Sequence, residues 1–301
     1  VIDFPVIELG ATVRRERGEQ LGSKRKFWFR HSDEKLWLFK YARPNTGEHW
    51  AEKLAAEIAE VIGLPHAVVE LARFEGAWGA MTCDFTQEGK QGLVHGNELL
   101  TELEPEYPTA DTYRVRAHTL TAVHAVLGQD FIRAPALARG PSDIGPFDLF
   151  VGYLLLDALI GNTDRHHENW GVLLTSSQPR SAELAPTFDH ASSLGRELTD
   201  DVRSRKYNGK GAQNGAVAYL AKARSALFAA AEERRPMTPA VAFRAAADLS
   251  PSAGKFWLQQ LRSRQDEVRA TPAAVPPQAI SAAARDFCEQ LLHTGVRTLL
   301  G

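Results

Sequence analysis

The sequence predicts an α+β fold in two lobes. Strand-like runs crowd the first hundred residues around a single helical stretch, and helical patterns fill most of the remainder. The densest polar cluster directly follows an almost wholly apolar segment. Separate runs of strands and helices point to α+β architecture, and a cleft between lobes is a common place for a ligand. The expected division is residues 1–105 for a strand-rich lobe with one helix, and 106–301 for a larger helical lobe.

The elements follow in order. Arg25 to His31 and Lys35 to Tyr41 are aromatic runs separated by Ser32-Asp33-Glu34, a hairpin signal. Gly47 to Gly63 reads as a helix, because Trp50, Leu54, Ile58 and Ile62 recur every four residues as one core-facing stripe. Leu64-Pro65 ends it. His66 to Phe74 and Gly79 to Phe85 form a second hairpin, turned at Glu75-Gly76. Asp111 to Gly128 is expected to be helical through Val115, Val123, Val126 and Leu127, and Ile132 to Gly145 a Pro/Gly-rich loop. Phe147 to Ile160 is apolar almost all round, the mark of a buried helix. Short strands are expected at Val172–Leu174 and Leu184–Phe188. Helices follow from Ala216, with Thr238-Pro239 and Ser250-Pro251 as helix starts carrying Pro at the first helical position. Thr271 to Pro277 reads as a linker before the last helix.

Bulk properties bound the function. The 301 residues are 44% apolar, enough for a substantial core without staples. A net charge of −2 argues against nucleic-acid binding through a globally basic surface, so no direct nucleic-acid contact is expected. Cys83 and Cys288 lie far apart, with no CxxC pair and no zinc spacing, which fits free thiols in a reducing compartment. The longest apolar run, Phe147 to Ile160, is too short to cross a bilayer and contains Asp148 and Asp157. A cytoplasmic protein is expected. The first residue is Val, so a missing N-terminal portion is expected as well.

The polar cluster is Gly161-Asn162-Thr163-Asp164-Arg165-His166-His167-Glu168-Asn169-Trp170-Gly171, and Asp189 comes twenty residues after Asn169. Phosphoryl transfer needs a carboxylate near the acceptor hydroxyl, oxygen ligands for magnesium, and cations on the phosphates. Asp164 fits the base. Asn169 and Asp189 fit magnesium, which prefers carboxylate, amide and water oxygens. Protein kinases place base, Asn and Asp in this order. The same residue types also build ordinary turns. Their place after a buried helix, with a second Asp downstream, favours chemistry.

A cation is then required upstream. Lys40 ends the strand Leu36 to Lys40 on the face of Leu36 and Leu38, where it can reach phosphates or snorkel to solvent. A glutamate on the following helix would steady it. Of Glu48, Glu52 and Glu57, Glu52 lies at the edge of the apolar stripe and is the choice. Glu19 to Lys24 precedes the aromatic strand and holds Gly22 and Ser23, but it contains no GxGxxG or Walker motif. Adenine is expected against the segment from Met81 to Phe85.

GNTDRHHENWG, the following FDHASSLG, and LWLFKY with EKLAAEIAEVIGLP upstream resemble the HipA-like serine/threonine kinases, which comprise the kinases of bacterial toxin–antitoxin pairs and their stand-alone relatives. The likeness runs from about Leu21 to about Leu220 and is strongest over residues 147–195. It implies a protein-kinase-like fold and an ATP- and magnesium-dependent transfer to a protein Ser or Thr hydroxyl. It further implies catalytic roles for Asp164, His166 and Asn169, metal ligation by Asn169 and Asp189, an ATP-phosphate role for Lys40, and a helix glutamate at Glu52. Ser23 falls where family members can carry an autophosphorylated serine. The implied partners are a protein substrate, with an aminoacyl-tRNA synthetase as one option, and an antitoxin. The chain departs from the pattern in its extra His167 and Glu168 and in the basic, Gly-rich stretch from Arg203 to Gly215. Two other readings stand beside this one. Asp164, His166, His167, Asp189 and His190 can build a di-metal phosphohydrolase, and a kinase-like chain can bind without turnover.

Overall fold

Aromatic residues at alternating positions weld the first sheet. The structure, a computed structural model, describes residues 2–10, 13–18, 25–135, 144–176, 181–207 and 215–301. Its six-stranded sheet comprises β1 (Val6–Leu9), β2 (Arg15–Gly18), β3 (Lys26–Arg30), β4 (Leu36–Tyr41), β5 (Val69–Phe74) and β6 (Ala77–Cys83). Their spatial order is β1-β5-β6-β4-β3-β2, antiparallel except for the parallel pair β1–β5. Phe27 and Phe29 point inward from β3, and Phe27 lies opposite Phe39 of β4 with ring centroids 5.4 Å apart. Phe74 closes edge-on at 5.0 Å. Such pairs each contribute about 0.5–1.5 kcal/mol beyond their burial.

Helix α1 (Glu48–Ile62) packs on β5 and β6 of this sheet, with Ala56 against Val69 and Ala80, while its stripe Trp50, Leu54, Ile58 and Ile62 is buried in the main core shared with the helical part. The predicted boundaries hold: Gly47 and Gly63 cap the helix. A smaller four-stranded sheet follows, formed by β7 (Gln91–His95), β8 (Ile132–Arg133), β9 (Gly171–Thr175) and β10 (Ala182–Leu184) in the order β7-β9-β10-β8. Helices α2 (Gly96–Leu103) and α3 (Leu120–Leu127) lie between β7 and β8.

Helix α4 (Pro146–Ile160) is the centre of the helical part. Every residue from Phe147 to Ile160 is buried except Asp148, as the near-uniform apolar pattern predicts. Beyond it come the single turn α5 (Asp200–Val202), then α6 (Gly215–Lys222), α7 (Pro239–Leu249), α8 (Pro251–Ala270) and α9 (Ala282–Leu300). Helices α7, α8 and α9 wall α4 in. Thr238 caps α7 by accepting the Val241 N–H, with Pro239 at the first helical position. Ser250 takes a different partner, donating to Asp148 Oδ1 at 2.6 Å, and Trp257 Nε1 donates to the Asp148 carbonyl at 2.7 Å. Both bonds fasten α8 to the start of α4. Among the described residues no helix is long and apolar enough to cross a membrane.

Several elements differ from expectation. The helix expected over Asp111 to Gly128 is confined to Leu120–Leu127, because Thr119 caps it and the preceding residues are spent on contacts with the polar cluster. Within them Arg114 adopts φ +62°, which no helix tolerates. His118 therefore lies before that helix. The strand expected over Leu184 to Phe188 ends at Leu184, and Thr187 instead makes an isolated bridge with His66. Thr271 to Ala274 forms a 3₁₀ turn within the expected linker. β1, β2, β7, β8 and α2 were not foreseen, since each is short.

Two buried histidines make stability depend on acid. Trp170 Nε1 donates to His118 Nε2 at 3.1 Å, so that nitrogen carries no proton, and Nδ1 faces the Ala226 carbonyl at 3.1 Å. Burial pushes His118 down to about 3 and His49, whose Nε2 meets the Ala279 carbonyl, down to about 4. Both folded-state values lie below the unfolded value, so the unfolded chain binds more protons as pH falls through about 6.5. Each ring is expected to remove about 2 kcal/mol of stability between pH 6.5 and 5. Denaturant melts at pH 7 and pH 5 measure this, and equal midpoints would show that neither ring is held neutral.

Candidate active site

The polar cluster is hung from the end of α4 by one buried ion pair. Asp157, in the last turn, is 1% exposed and the Arg165 side chain is fully buried. Arg165 Nε donates to Asp157 Oδ2 and Nη2 to Oδ1, both at 2.8 Å, while Nη1 donates to the Asn169 carbonyl at 2.9 Å. Asn162 Nδ2 adds a further bond to Asp157 Oδ1 at 2.8 Å. Charged groups are tolerated at this depth only when paired and hydrogen-bonded. Glycines bracket the loop for two reasons. Gly161 turns the chain out of α4 at φ +65°, and a Cβ on Gly171 would meet the Val94 carbonyl oxygen at 2.2 Å, where β9 runs against β7.

Asp164 and Asn169 are locked together within this loop. Asn169 Nδ2 donates to the Asp164 carbonyl at 2.7 Å, and the Asp164 N–H donates to Asn162 Oδ1 at 3.1 Å. The Asp164 carboxylate accepts a hydrogen bond from the Ser192 hydroxyl at 3.1 Å. His166 Nε2 lies 3.7 Å from Asp164 Oδ1, and its Nδ1 accepts the Glu168 N–H at 3.2 Å. Burial lowers the His166 pKa, and the charge of Asp164 opposes that shift.

The downstream segment is knitted to the loop. The Thr163 N–H donates to the Ser192 carbonyl, and the Leu194 N–H to the Ile160 carbonyl. Asp189 adopts φ +57°, a left-handed conformation that is uncommon for a side-chain-bearing residue and costs of order 1–3 kcal/mol. Lys40 Nζ lies 3.1 Å from Asp189 Oδ2, with the lysine side chain only 14% exposed. Glu52 is buried, and its Oε1 accepts the His190 N–H at 3.0 Å. Both residues of the first sheet and its helix thus reach the Asp189 segment. The rival glutamates face elsewhere: Glu57 pairs with Lys53 at 2.7 Å, and Glu48 with Arg43 and Arg196.

Other expected residues meet different ends. Ser23 and its neighbours to Lys24 lie outside the described residues, as do 208–214 of the basic stretch. Met81 is buried in β6, an interior strand, and Phe85 packs on Phe188 at 5.5 Å. Of the histidines of the di-metal reading, His166 stays beside Asp164 and the other two turn away into separate bonds. His167 Nδ1 meets the Tyr107 hydroxyl at 2.9 Å and His190 Nε2 the Thr187 hydroxyl at 2.7 Å. Among the described residues no group of three or more His, Cys, Asp and Glu is placed to hold a metal ion.

Three contributors carried no assigned role in the sequence. The Arg165–Asp157 pair had a signal, an aspartate inside an apolar helix and an arginine just after it, since neither is buried alone. Ser192 sat in the FDHASSLG segment. Tyr113 had none; its ring packs edge-on against His166 at 5.6 Å, and the charge of Asp164 raises its pKa.

Residues 19–247 match the HipA-like C-terminal domain. The chain belongs to this family. Membership in the HipA-like family implies a kinase and with it the use of a nucleotide. The HipA-like chain superimposes on the Helicobacter pylori proinflammatory kinase CtkA with a TM-score of 0.75, at 19% identity over 98% of each chain. Against HipA of the Shewanella oneidensis MR-1 toxin–antitoxin system, solved with HipB and operator DNA, the TM-score is 0.59 at 14% identity. That alignment covers 94% of this chain and 66% of the other. At these identities the likeness establishes the fold: α+β, with an N-terminal sheet and a helical C-terminal part. No curated protein matches the chain in sequence.

Proposed function

We propose that this HipA-like chain transfers the γ-phosphate of ATP, with magnesium, to a Ser or Thr hydroxyl of a protein. The observation that carries the reading is the Lys40–Asp189 contact at 3.1 Å, which sets a cation of the first sheet against the carboxylate beside the Asp164–Asn169 loop. Residues 1–105 then act as the lobe that holds the phosphates and 106–301 as the lobe that holds the catalytic loop. Strand β7 of the former is hydrogen-bonded to β9 of the latter.

Asp164 is the base. Its carboxylate accepts a serine hydroxyl within the fold, Ser192, and so is oriented for the interaction an acceptor hydroxyl requires. His166 buttresses its second oxygen. The donor set fits magnesium: Asn169 commits its amide nitrogen to the Asp164 carbonyl, which leaves the amide oxygen for a cation, and Asp189 supplies a carboxylate. Bound magnesium would neutralise charge on the phosphates. Lys40 holds phosphate oxygens, Glu52 fixes the backbone beside Asp189, and adenine lies near Met81 to Phe85. An antitoxin and an aminoacyl-tRNA synthetase are partner proposals that follow from the family.

Incubation with γ-labelled ATP, magnesium and a cell lysate is expected to label a protein band, and EDTA to abolish the label. ATP binding with no label on any protein would leave a binding module. Ser23 is proposed as an autophosphorylation position, where added negative charge opposes ATP phosphates. Preincubation with ATP is expected to slow turnover of the parent chain and not of Ser23→Ala; equal slowing of both removes Ser23 from regulation.

A further inference from the structure

A cavity of about 510 Å³ lies beside the candidate active site, lined by Arg114, Arg116, Phe228, Arg234, Arg235 and Pro236. Its nearness follows from the chain. Arg114 succeeds Tyr113, whose ring packs on His166, and Thr112 donates to Glu168 Oε2 at 3.4 Å. One wall of the cavity is therefore a direct continuation of the segment that flanks Asp164.

Four guanidinium groups around one opening repel each other, so the arrangement needs a reason. Among the described residues none of the four makes an ion pair or a side-chain hydrogen bond. Arginines elsewhere in the chain are engaged: Arg43 and Arg196 with Glu48, Arg165 with Asp157, Arg203 with Asp200. Glu232 and Glu233 precede Arg234 in sequence, are exposed, and do not line the cavity.

The scaffold beneath is fixed. The Phe228 N–H donates to the His118 carbonyl at 3.0 Å, the Met237 N–H to the Leu227 carbonyl at 2.9 Å, and the Ser225 N–H to the Met237 carbonyl at 2.9 Å. These bonds hold the two arginine-bearing segments, and the segment of Phe228 between them, in one place. Arg114 itself sits at φ +62°, a strained conformation of the kind that clusters at binding sites.

The chemistry selects the ligand. Guanidinium forks match the oxygens of a phosphate, two at a time. The cavity is compact, whereas a nucleic-acid backbone calls for an extended basic track, and the chain carries a net charge of −2. Pro236, half-buried above the buried Phe228, offers apolar surface for the stem of a side chain. We propose that this cavity binds a phosphorylated side chain of the acceptor protein, so that the chain favours acceptors already phosphorylated a few residues from the target hydroxyl. The cavity's place in catalysis rests on the kinase reading; its affinity for phosphate does not.

The test is fluorescence anisotropy on the full chain without nucleotide. The probes are a labelled Gly/Ala peptide with one phosphoserine and its unphosphorylated serine twin, with inorganic phosphate and oligouridine as competitors. The phosphopeptide is expected to bind about tenfold or more tighter than its twin, and R234A/R235A to lose that difference. R234K/R235K should keep only part of it, because lysine lacks the fork. Asp164→Asn should bind as the parent does. Equal binding of the two peptides, full binding by R234A/R235A, or displacement by oligouridine at lower phosphate concentration than by inorganic phosphate overturns the proposal. The exposed arginines should be replaceable without unfolding; if a thermal melt shows otherwise, Arg116→Ala is read against the same thresholds. Phosphopeptide binding without any phosphotransfer would defeat the kinase reading and leave the cavity standing. Phosphotransfer with no preference for the phosphopeptide would defeat the cavity alone.

Discussion

Asp164→Asn is expected to lower phosphotransfer by a factor on the order of 10²–10⁴, the usual contribution of a general base. Asparagine has the same shape, so the fold and the loop should survive. The bonds that seat residue 164 run through its backbone, from its N–H to Asn162 and from Asn169 to its carbonyl. What is lost is the carboxylate proposed as the base, the group that accepts the Ser192 hydroxyl at 3.1 Å. The proposed nucleotide contacts belong to Lys40, Asn169 and Asp189, so ATP affinity by calorimetry should stay close to that of the parent. Initial rates at saturating ATP check the first half of this expectation. A rate equal to the parent's takes Asp164 out of the mechanism; a lost rate with equally lost ATP affinity makes it a binding residue instead.

Asp157→Ala is expected to cost about 3–5 kcal/mol, because it strands the Arg165 guanidinium in the core without its counter-charge. Arg165 is fully buried and has no route to solvent short of opening the loop. For a chain of this size that loss lowers the melting temperature on the order of 10 °C. The contrast with D157L/R165M is instructive. Replacing a buried pair by apolar residues of similar volume is often neutral or stabilising, so most of the stability should return. Activity should not, because Arg165 Nη1 also holds the Asn169 carbonyl at 2.9 Å. Calorimetric melts and phosphotransfer rates on both variants separate the two roles. If D157A melts with the parent, Arg165 is not anchored by this pair.

The parts of the fold legible in the sequence are those where one residue pattern admits one solution. Phe147 to Ile160 is apolar on every face, so only a fully surrounded helix suits it, and that is how α4 sits. The stripe of α1 and the glycines at its ends fixed its limits equally well. Asp111 to His118 misled because Val115 lies in helical register with Val123 and Val126, while Thr119 stops the helix and the chain before it serves the polar loop. In the candidate site, Lys40 is expected on the phosphates and Asp189 on the metal, and the two side chains lie in contact. Glu52 was chosen for its position at the stripe's edge and meets the backbone of His190. Ser192 and Arg196 carried no signal because their partners come from segments that only the folded chain brings together. Arg196, for instance, joins Glu48 of α1 to Ser192.

The walls around α4 have a consequence for where this protein can be cut. The HipA-like match ends at residue 247, two residues short of the end of α7. Yet α8 and α9, which lie entirely beyond it, cover α4, and Trp257 and Ser250 fasten its first turn through Asp148. A fragment trimmed to the recognised domain would expose the most apolar helix in the chain to water, and with it the footing of Asp157. The chemistry is written within the shared domain, and the ground it stands on is supplied by the tail.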